Sequence, residues 1–267
     1  YLGNTLTDIA SEKAGIMKEN VPCIIGAQTQ EALDRGVMTV FEDHAKTLNV
    51  PLLRYGHEWS TQESSSGFTL TLKNKTYDFP TPSLLGAHQI KNVSAVLVTL
   101  LTLYPTSNIQ KLSHAIQNTT WRGRLQRLST YDEKYGEVWL DGGHNDSAGQ
   151  ALADQAIRWS AQDKKPLHLI IGMVNRKNPE EFLTPLLPHI ANITVIDIPH
   201  AEASWSAHAL SEVIKSFATC PVNTSTSPHD ALSAQGKDTR ILITGSLYLA
   251  GAILADIENK VPQKNEW

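Results

Sequence analysis

The chain carries the sequence Leu140-Asp141-Gly142-Gly143-His144-Asn145-Asp146 directly after the apolar run Val138-Trp139-Leu140 and before an amphipathic helical pattern that begins near Ser147. An acid, two glycines, a histidine and an amide therefore occupy the point where a predicted strand turns into a predicted helix. In a parallel α/β sheet this point lies at the carboxyl edge, where ligands bind. Glycine lets the backbone approach a ligand, and a helix start offers unpaired N–H groups to an anion. The turn is a candidate binding site, although its histidine is also compatible with a capping or core role.

Strands and helices alternate regularly from about residue 126 onward. Strands are predicted at about 136–141, 167–172, 193–198, 221–225 and 240–244, with a possible leading strand at 126–131, and helices at about 147–161, 179–190, 206–217, 228–235 and 247–258. This alternation is typical of a doubly wound, mostly parallel sheet. Right-handed crossovers place its strand-to-helix turns on one edge, and small or polar residues fill the turns at 141–145, 172–178, 199–202 and 244–248. We therefore expect a binding cleft along that edge.

The first 119 residues follow a different pattern. Thr5 and Asp8 form a predicted capping box for a helix that ends near Gly15. Strands are predicted at about 21–27 and 51–55, helices at about 29–48, 84–103 and 108–118, and a small antiparallel sheet between residues 58 and 79. The expected fold class is therefore α/β, with a small antiparallel sheet in residues 1–119 and a Rossmann-like, mostly parallel domain in residues 120–267.

Polar residues in three further places are candidates for binding. Lys13 lies in the last turn of the first predicted helix, where a lysine also complements the helix dipole. Asn92 lies one turn from Gln89 near the start of the 84–103 helix, where polar residues are also ordinary. The segment Trp121-Arg122-Gly123-Arg124-Leu125-Gln126-Arg127 fits either a solvated linker or an anion clamp, because the guanidinium fork matches phosphate and carboxylate. Spacing alone does not decide between these alternatives.

Composition argues against several classes of protein. Hydrophobic residues make up 41% of the 267 residues and charged residues 19%, as in ordinary globular proteins. The formal net charge of −4 argues against general nucleic-acid binding, and the longest apolar run, residues 95–104, is too short to span a bilayer. The two cysteines, Cys23 and Cys220, fit two buried free thiols in a reducing compartment. The sequence contains no Gly-x-Ser-x-Gly, Gly-x-Gly-x-x-Gly or Walker A motif, so a hydrolase or dinucleotide oxidoreductase is disfavoured.

Five segments together resemble one family. In chain order they are Ile9-Ala10-Ser11-Glu12-Lys13-Ala14-Gly15-Ile16, Leu85-Gly86-Ala87-His88-Gln89-Ile90-Lys91-Asn92, Trp121-Arg122-Gly123-Arg124-Leu125-Gln126, Asp141-Gly142-Gly143-His144-Asn145 and Gly245-Ser246-Leu247-Tyr248-Leu249. The chain resembles bacterial folylpolyglutamate synthase/dihydrofolate synthase, a Mur-ligase-like family of ATP-dependent amide ligases. The resemblance implies that residues 1–119 are the C-terminal part of a P-loop-type, ATP-binding central domain. Residues 120–267 would then form a Rossmann-like glutamate-ligase domain.

The same resemblance implies a reaction with ATP and Mg²⁺ as cofactors. ATP would phosphorylate a carboxylate of dihydropteroate or of a folate glutamate tail, and the amino group of L-glutamate would attack the acyl phosphate to form an amide. Because the reactants are anionic, catalysis would depend on positioning and on neutralising charge. The expected partners are small-molecule substrates rather than nucleic acid or a membrane, and the expected state is a cytoplasmic monomer.

The resemblance also implies a role for each matched residue near the nucleotide. Lys13 matches a catalytic lysine carried as a carbamate near the metals, which would act as an oxygen ligand to a hard cation. Asn92, Arg124 and Asp141 match residues that bind the nucleotide. We expect loss of the Asp141 side chain to lower turnover far more than it lowers stability.

Two other matched residues concern the incoming glutamate. His144 matches a position in the catalytic site associated with this substrate, and Ser246 matches a substrate-binding position that heads a predicted helix, which suits a carboxylate. The departures from the family pattern are mild, with Arg122 where many relatives have proline and Gly143 where many have alanine.

One larger departure from the family pattern concerns the residues that would bind the phosphates and the metals. The family's P-loop and its metal-binding serine, glutamate and histidine are not found in this sequence, which begins at Tyr1. We therefore expect a piece of a longer protein, with the other metal ligands upstream of it, and a 267-residue chain that is inert alone. A peptidoglycan-precursor Mur-type ligase and a non-catalytic binding module stay open as alternatives, although residues 12–16 and 85–89 favour the folate branch.

Overall fold

The computed structural model describes Gly3, residues 5–199, Ala201 and residues 203–260, and within these residues it forms two compact units. The first unit comprises the described residues up to Ser83 together with residues 88–119, and the second comprises residues 84–87 and those from Thr120 onward. Of the predicted turn at 199–202, His200 and Glu202 lie outside the described residues.

The first unit contains helices α1–α5 and strands β1–β5. In chain order they are α1 (Leu6–Ala14), β1 (Cys23–Ile25), α2 (Gln30–Asp34), α3 (Val37–Thr47), β2 (Leu52–Arg54), β3 (Trp59–Ser64), β4 (Gly67–Leu72), β5 (Lys75–Pro80), α4 (Ala87–Leu103) and α5 (Ile109–Asn118). Strands β1 and β2 pair in parallel, and β3, β4 and β5 form a separate antiparallel sheet. The predicted small antiparallel sheet is therefore confirmed.

Local signals set the limits of the first helices. The capping box of α1 is confirmed, since the Thr5 hydroxyl accepts the Asp8 N–H and the Asp8 carboxylate accepts the Thr5 N–H. The helix predicted over residues 29–48 is wrong as a single element, because Gly36 has a φ of 78° and separates α2 from α3. A left-handed residue cannot continue a right-handed helix, and glycine adopts that conformation without a steric penalty.

The second unit is built on six strands. Its elements are β6 (Gln126–Arg127), α6 (Asp132–Tyr135), β7 (Glu137–Leu140), α7 (Asp146–Asp163), β8 (Leu167–Ile171), α8 (Pro179–Leu183), β9 (Asn192–Ile196), α9 (Ala207–Lys215), β10 (Val222–Ser225), α10 (Pro228–Ser233), β11 (Arg240–Thr244) and α11 (Leu247–Ile257). The strand order is β10-β9-β8-β11-β7-β6, with every pair parallel except β6 with β7. The predicted α/β fold class with a mostly parallel sheet is confirmed.

Two predicted elements of this unit are shorter than expected. The helix predicted over residues 179–190 ends at Leu183, and a single 3₁₀ turn follows at Leu187–His189, where Pro188 removes a backbone donor. The possible strand at 126–131 is limited to Gln126 and Arg127, since a 3₁₀ turn begins at Ser129.

Helices cover both faces of the six-stranded sheet. One apolar core joins alternate strand residues to α7, α8 and α9, and includes Leu152, Phe182 and Leu210. The other core joins the opposite strand residues to α10 and α11, and includes Leu232 and Leu249. The chain therefore changes face between β7, which leads into α7, and its neighbour β11, which leads into α11. Ligands bind at such a switch point in open α/β sheets.

Two further findings bear on the sequence expectations. Cys23 and Cys220 are free thiols, but both are half-buried, so the expected full burial is wrong. Within the described ranges, no helix is long and apolar enough to cross a membrane.

Candidate functional site

The turns after β7 and β11 are joined by hydrogen bonds at the switch point. The Asp141 N–H donates to the Ile243 carbonyl at 2.9 Å, and the Gly245 N–H donates to the Gly143 carbonyl at 3.0 Å. The Thr244 hydroxyl donates to the same Gly143 carbonyl at 3.3 Å. Two predicted motifs that are about a hundred residues apart in sequence thus form one surface at the carboxyl edge of the sheet.

Two glycines make this close approach possible. Gly245 has a φ of 105°, and a Cβ atom there would lie 2.7 Å from Ile171 Cγ1. A Cβ atom at Gly142 would clash with the Leu247 side chain. A Cβ atom at Gly245 would also crowd the Gly172 carbonyl, and one at Gly142 would displace the Leu247 side chain, so both positions favour glycine.

Asp141 connects the β7 turn to the segment that precedes β6. Its Oδ2 accepts the Leu125 N–H at 2.8 Å and its Oδ1 accepts the Gly143 N–H at 2.7 Å. The residue is only 8% exposed. Removing this carboxylate would leave two backbone donors without their acceptor, each at a cost of about 1–3 kcal/mol where it is buried. We therefore now expect substitution of Asp141 to lower stability as well as turnover.

The segment held by Asp141 is a turn with two left-handed residues. Gly123 has a φ of 67° and Leu125 a φ of 42°. The Gly123 N–H donates to Gln126 Oε1 at 2.9 Å, and its carbonyl accepts the Gly142 N–H at 2.8 Å. Arg124 therefore lies between two residues whose backbones are fixed to the switch point.

The three arginines of the predicted clamp differ in their partners. Arg122 pairs with Glu258, and Arg127 Nη2 lies 2.9 Å from Asp132 Oδ2. Arg124 is exposed and, in the part of the chain that the structure describes, makes no hydrogen bond or ion pair. Of the three, Arg124 has its guanidinium available for an anion.

His144 is half-buried at the same turn. Its Nδ1 lies 3.0 Å from the Gly142 carbonyl. Because a carbonyl oxygen only accepts, Nδ1 carries the proton of the neutral ring, and Nε2 is left as a hydrogen-bond acceptor. The ring is thus oriented by backbone and presents a base at Nε2.

Ser246 is buried at the start of α11, and its Oγ accepts the Tyr248 N–H at 3.0 Å. The side chain is therefore an N-cap. Asn145 has the same function at α7, where its Oδ1 accepts the Ala148 N–H at 3.0 Å. The two helix starts thus flank the crevice, α7 covering one face of the sheet and α11 the other.

Lys13 and Asn92 lie in the first unit. Lys13 is exposed in the last turn of α1 and makes no side-chain hydrogen bond or ion pair within the described residues. Asn92 Nδ2 donates to Gln89 Oε1 at 3.3 Å, and Gln89 Nε2 lies 2.8 Å from His88 Nε2. Three polar side chains near the start of α4 are therefore in contact in series. No hydrogen bond or ion pair among these described residues joins Lys13 to Asn92.

A divalent metal has no evident ligand set in this part of the chain. Among the described residues, no group of three or more His, Cys, Asp or Glu side chains could hold a metal ion. The residues present therefore do not by themselves build a site for Mg²⁺, and we assign no chemical step to a metal held by them.

Sequence reasoning recognised the motif at residues 121–126 but missed how it is held. Leu125 is left-handed, and no sequence signal marks it, since leucine rarely adopts that conformation. Gln126 lies three residues after Gly123, and this spacing is the sequence signal for the side-chain contact that closes the turn.

Comparisons with known proteins agree with this geometry. A family model described as "Dihydrofolate synthetase, C-terminal domain" matches residues 124–256, which begin at the arginine of the turn and include both switch-point motifs. In this region the chain is similar to the dihydrofolate synthase/folylpolyglutamate synthase family.

Two curated relatives of this family match nearly the whole chain. A probable dihydrofolate synthetase of Schizosaccharomyces pombe is 30% identical over 268 residues, covering 94% of this chain and 61% of the relative. A dihydrofolate synthase/folylpolyglutamate synthase of Bacillus subtilis is 27% identical over 267 residues, covering 94% of this chain and 58% of the relative. The chain thus spans about three fifths of the length of these relatives.

Solved structures of the family share the fold. Escherichia coli FolC, solved in complex with DHPP and ADP, superposes with a TM-score of 0.82 at 19% identity and covers 97% of this chain and 58% of that one. A folylpolyglutamate synthase of Thermotoga maritima gives a TM-score of 0.74 at 24% identity, covering 98% of this chain and 61% of that one. At these identities the likeness establishes the fold.

Proposed function

We propose that this chain belongs to an ATP-dependent amide ligase that adds L-glutamate to dihydropteroate, to folylpolyglutamate or to both. The single observation that carries the proposal is Arg124, a cation without a partner among the described residues, on a turn fixed to the switch point of the family's C-terminal domain. Such a guanidinium fits the phosphates of a nucleotide. Residues 1–119 are proposed to be part of the ATP-binding domain and residues 120–267 the glutamate-ligase domain.

The proposed reaction has two steps. A carboxylate oxygen of the folate substrate attacks the γ-phosphorus of ATP, which gives an acyl phosphate and ADP. The amino group of L-glutamate then attacks the acyl carbon, an amide bond forms, phosphate leaves and the nitrogen loses a proton. ATP and Mg²⁺ are the proposed cofactors, and Mg²⁺ would neutralise phosphate charge when bound.

The second unit contributes to the second step in this proposal. His144 Nε2, left as an acceptor by the Nδ1 hydrogen bond, takes a proton from the glutamate ammonium group before or during attack. The Ser246 hydroxyl caps α11, so Ser246 acts on a glutamate carboxylate chiefly by ordering the start of that helix. Arg124 and Asn92 contact the nucleotide. Lys13 would be carried as a carbamate, formed when its neutral amine bonds to the carbon of CO2 and the nitrogen loses a proton to solvent.

Glutamate incorporation by the full gene product that contains these residues tests the proposal. Radiolabelled L-glutamate, ATP and Mg²⁺ are supplied with dihydropteroate, with a reduced folate or with a UDP-linked muramyl precursor as acceptor. We expect label in a pterin product and none in the muramyl precursor. Label in the muramyl product alone would favour a peptidoglycan-precursor ligase, and no label with any acceptor would favour a non-catalytic binding module.

His144→Ala and Asn178→Ala form a matched pair for this assay. Both remove a polar side chain from a turn at the carboxyl edge, but Asn178 Oδ1 accepts the Glu180 N–H as the N-cap of α8. We expect His144→Ala to lower kcat by about 10²–10⁴-fold, the usual contribution of a general base. Asn178→Ala is expected to lower stability and to leave kcat per folded molecule unchanged.

The proposed enzyme acts as a cytoplasmic monomer on small molecules. Light scattering during size-exclusion chromatography of the full gene product tests the oligomeric state, and a mass of two subunits would contradict it.

A further inference from the structure

We propose that Gly149 is a positioning residue for His144, because a backbone contact between α7 and α8 at Gly149 sets where the turn before α7 lies. The contact rests on the geometry of the second unit alone. Its consequence for catalysis rests on the proposed function, in which His144 takes a proton from the glutamate ammonium group.

The carbonyl oxygen of Phe182 occupies the space that a side chain at position 149 would need. A Cβ atom built on Gly149 would lie 2.0 Å from this oxygen and 3.3 Å from Pro185 Cγ. Gly149 and Phe182 are both buried. Since Cβ atoms essentially never approach backbone atoms closer than 3.0 Å, even alanine would require the two helices to separate by about 1 Å.

The Phe182 carbonyl suits a glycine neighbour because it lies in the last turn of α8. The next N–H that a continuing helix would offer it is that of Leu186, which instead donates to the Leu183 carbonyl at 2.9 Å. Position 185 is proline, which has no N–H. The Cα hydrogen of Gly149 that takes the place of Cβ points at this oxygen, and such hydrogens are weak donors at helix–helix contacts.

The first turn of α7 couples Gly149 to His144. The Gly149 N–H donates to the Asn145 carbonyl at 2.9 Å, and Asn145 Oδ1 accepts the Ala148 N–H at 3.0 Å. His144 directly precedes this cap, and its Nδ1 lies 3.0 Å from the Gly142 carbonyl. A displacement of Gly149 would therefore be passed on to the His144 ring.

The start of α7, rather than α8, would move to relieve a clash at Gly149. The Phe182 side chain is 0% exposed, and Asn178 caps α8 by accepting the Glu180 N–H. Residues 145–147 at the start of α7 are exposed. Moving this start away from α8 would carry His144 with it, and misplacing a reacting group by about 1 Å can lower the rate about 10²-fold.

Gly149→Ala and Gly251→Ala form a matched pair for the test. Both replace a glycine inside a helix that leads from the switch point, and alanine has the higher helix propensity. In the described part of the chain, a Cβ atom at Gly251 would meet only open space.

Glutamate incorporation by the full gene product compares the pair. We expect Gly149→Ala to lower kcat about 10- to 100-fold, with the KM for ATP within about twofold of wild type. Gly251→Ala should leave both constants within about twofold of wild type. An equal kcat per folded molecule for the two variants would overturn the proposal, even if Gly149→Ala unfolds more easily.

A double-mutant cycle with His144→Ala separates positioning from a general structural effect. If Gly149 acts through His144, Gly149→Ala has no further effect on kcat once the imidazole is gone. We expect the double variant to match His144→Ala within about twofold. A double variant whose kcat falls by the product of the two single effects would overturn the proposal.

Pro185→Ala keeps the test decisive if Gly149→Ala does not fold. Alanine at position 185 offers the Phe182 carbonyl an N–H three residues along the chain, which draws the oxygen away from Gly149. We expect kcat to fall about two- to tenfold, and not to fall in the His144→Ala background. An unchanged kcat would then overturn the proposal.

Nitrogen-15 NMR of histidine-labelled protein follows His144 without reference to activity. The ring signals of His144 are those missing from His144→Ala. Gly149→Ala should shift them, because the contact of Nδ1 with the Gly142 carbonyl changes, whereas Gly251→Ala should leave them in place. Identical His144 signals in wild type and Gly149→Ala would overturn the proposal.

These outcomes separate the inference from the proposed function. If the His144 signals respond to Gly149→Ala but no acceptor receives glutamate, the proposed function fails and the positioning of the ring by Gly149 stands. If Gly149→Ala incorporates glutamate at the wild-type rate with unchanged His144 signals, the inference fails and the proposed function stands.

Discussion

The two edges of the six-stranded sheet use arginine in opposite ways. At the amino edge, Arg240 is 3% exposed, and its guanidinium meets Glu137 at 2.6 Å and Asp163 at 2.8 Å and lies over the Trp159 ring. At the carboxyl edge, Arg124 is exposed and its side chain has no partner among the described residues, although its backbone neighbours are firmly held. The fold thus pairs one of these cations within the unit and leaves the other exposed to solvent.

The difference shows how local environment assigns a role to a residue type. A buried guanidinium without partners would cost several kcal/mol, so Arg240 is stable only with its two carboxylates. An exposed guanidinium is solvated and needs no partner, so an unpaired Arg124 costs little. The backbone beside Arg124 is nevertheless held by hydrogen bonds, which is consistent with the anion-binding role proposed for this residue. Substitutions at each edge test this difference.

The largest effect is expected from Arg240→Met. The change leaves Glu137, whose side chain is 11% exposed, without its main partner, and breaking a buried ion pair from one side costs about 3–5 kcal/mol. Chemical denaturation of the second unit measures the loss. Turnover per folded molecule should be unchanged, and a variant as stable as wild type would contradict the assigned role of this edge.

A smaller effect in free energy, on binding rather than stability, is expected from Arg124→Ala. Losing a charged hydrogen bond to a phosphate costs about 1.5–3 kcal/mol, so the KM for ATP should rise about 10- to 100-fold. The midpoint of thermal unfolding should hardly move. A variant that unfolds more easily but has an unchanged KM for ATP would show that Arg124, like Arg240, stabilises the fold rather than binds a ligand.

The pH dependence of stability distinguishes the two edges further. Burial raises the pKa of Glu137, but hydrogen bonds from Arg240, Trp139 and Lys165 outweigh it and hold this pKa below its ordinary value of 4.5. The resulting stability is complete above pH 4.5 and is lost as the pH falls through the lowered pKa. Glu137→Gln should therefore flatten the fall in unfolding free energy below pH 4.5, by up to about 1.4 kcal/mol per pH unit. An unchanged slope in acid denaturation would contradict this.

The smallest effect is expected from Arg127→Ala. Its guanidinium pairs with Asp132, but the two side chains are 50% and 33% exposed, and such surface pairs contribute about 0–1 kcal/mol. Neither the KM for ATP nor the unfolding free energy should change appreciably. Steady-state kinetics and denaturation of this variant give the baseline for Arg124→Ala, and an equal rise in KM would show that net charge, not position, accounts for the effect.

The sequence predicted most elements because apolar runs and helical periods are local signals. The strand at 240–244 and the helix start at Ser246 lie where the pattern indicated, as β11 and the cap of α11. The position of β11 between β7 and β8 is a long-range property that no local pattern carries. The site was predictable as a set of polar turns at one edge.

What the sequence could not predict are the partners of each side chain. Nothing in the pattern distinguishes Arg124 from Arg122 and Arg127, because their partners Glu258 and Asp132 are known only once the chain is folded. The commitment of Asp141 to two backbone amides is hidden for the same reason. The family resemblance indicated which residues match functional positions. The structure shows which groups those residues contact.

The placement of β11 has a consequence for how the protein is made. β7 and β8 each pair with β11 on one side, so the centre of the sheet stays open until residues 240–244 have been synthesised. During synthesis β7 and β8 leave the ribosome before the strand that lies between them in the sheet. Their pairing with β11 must wait for nearly the last part of the described chain. A chain that ends before residue 240 would lack β11, so neither β7 nor β8 would have this pairing partner.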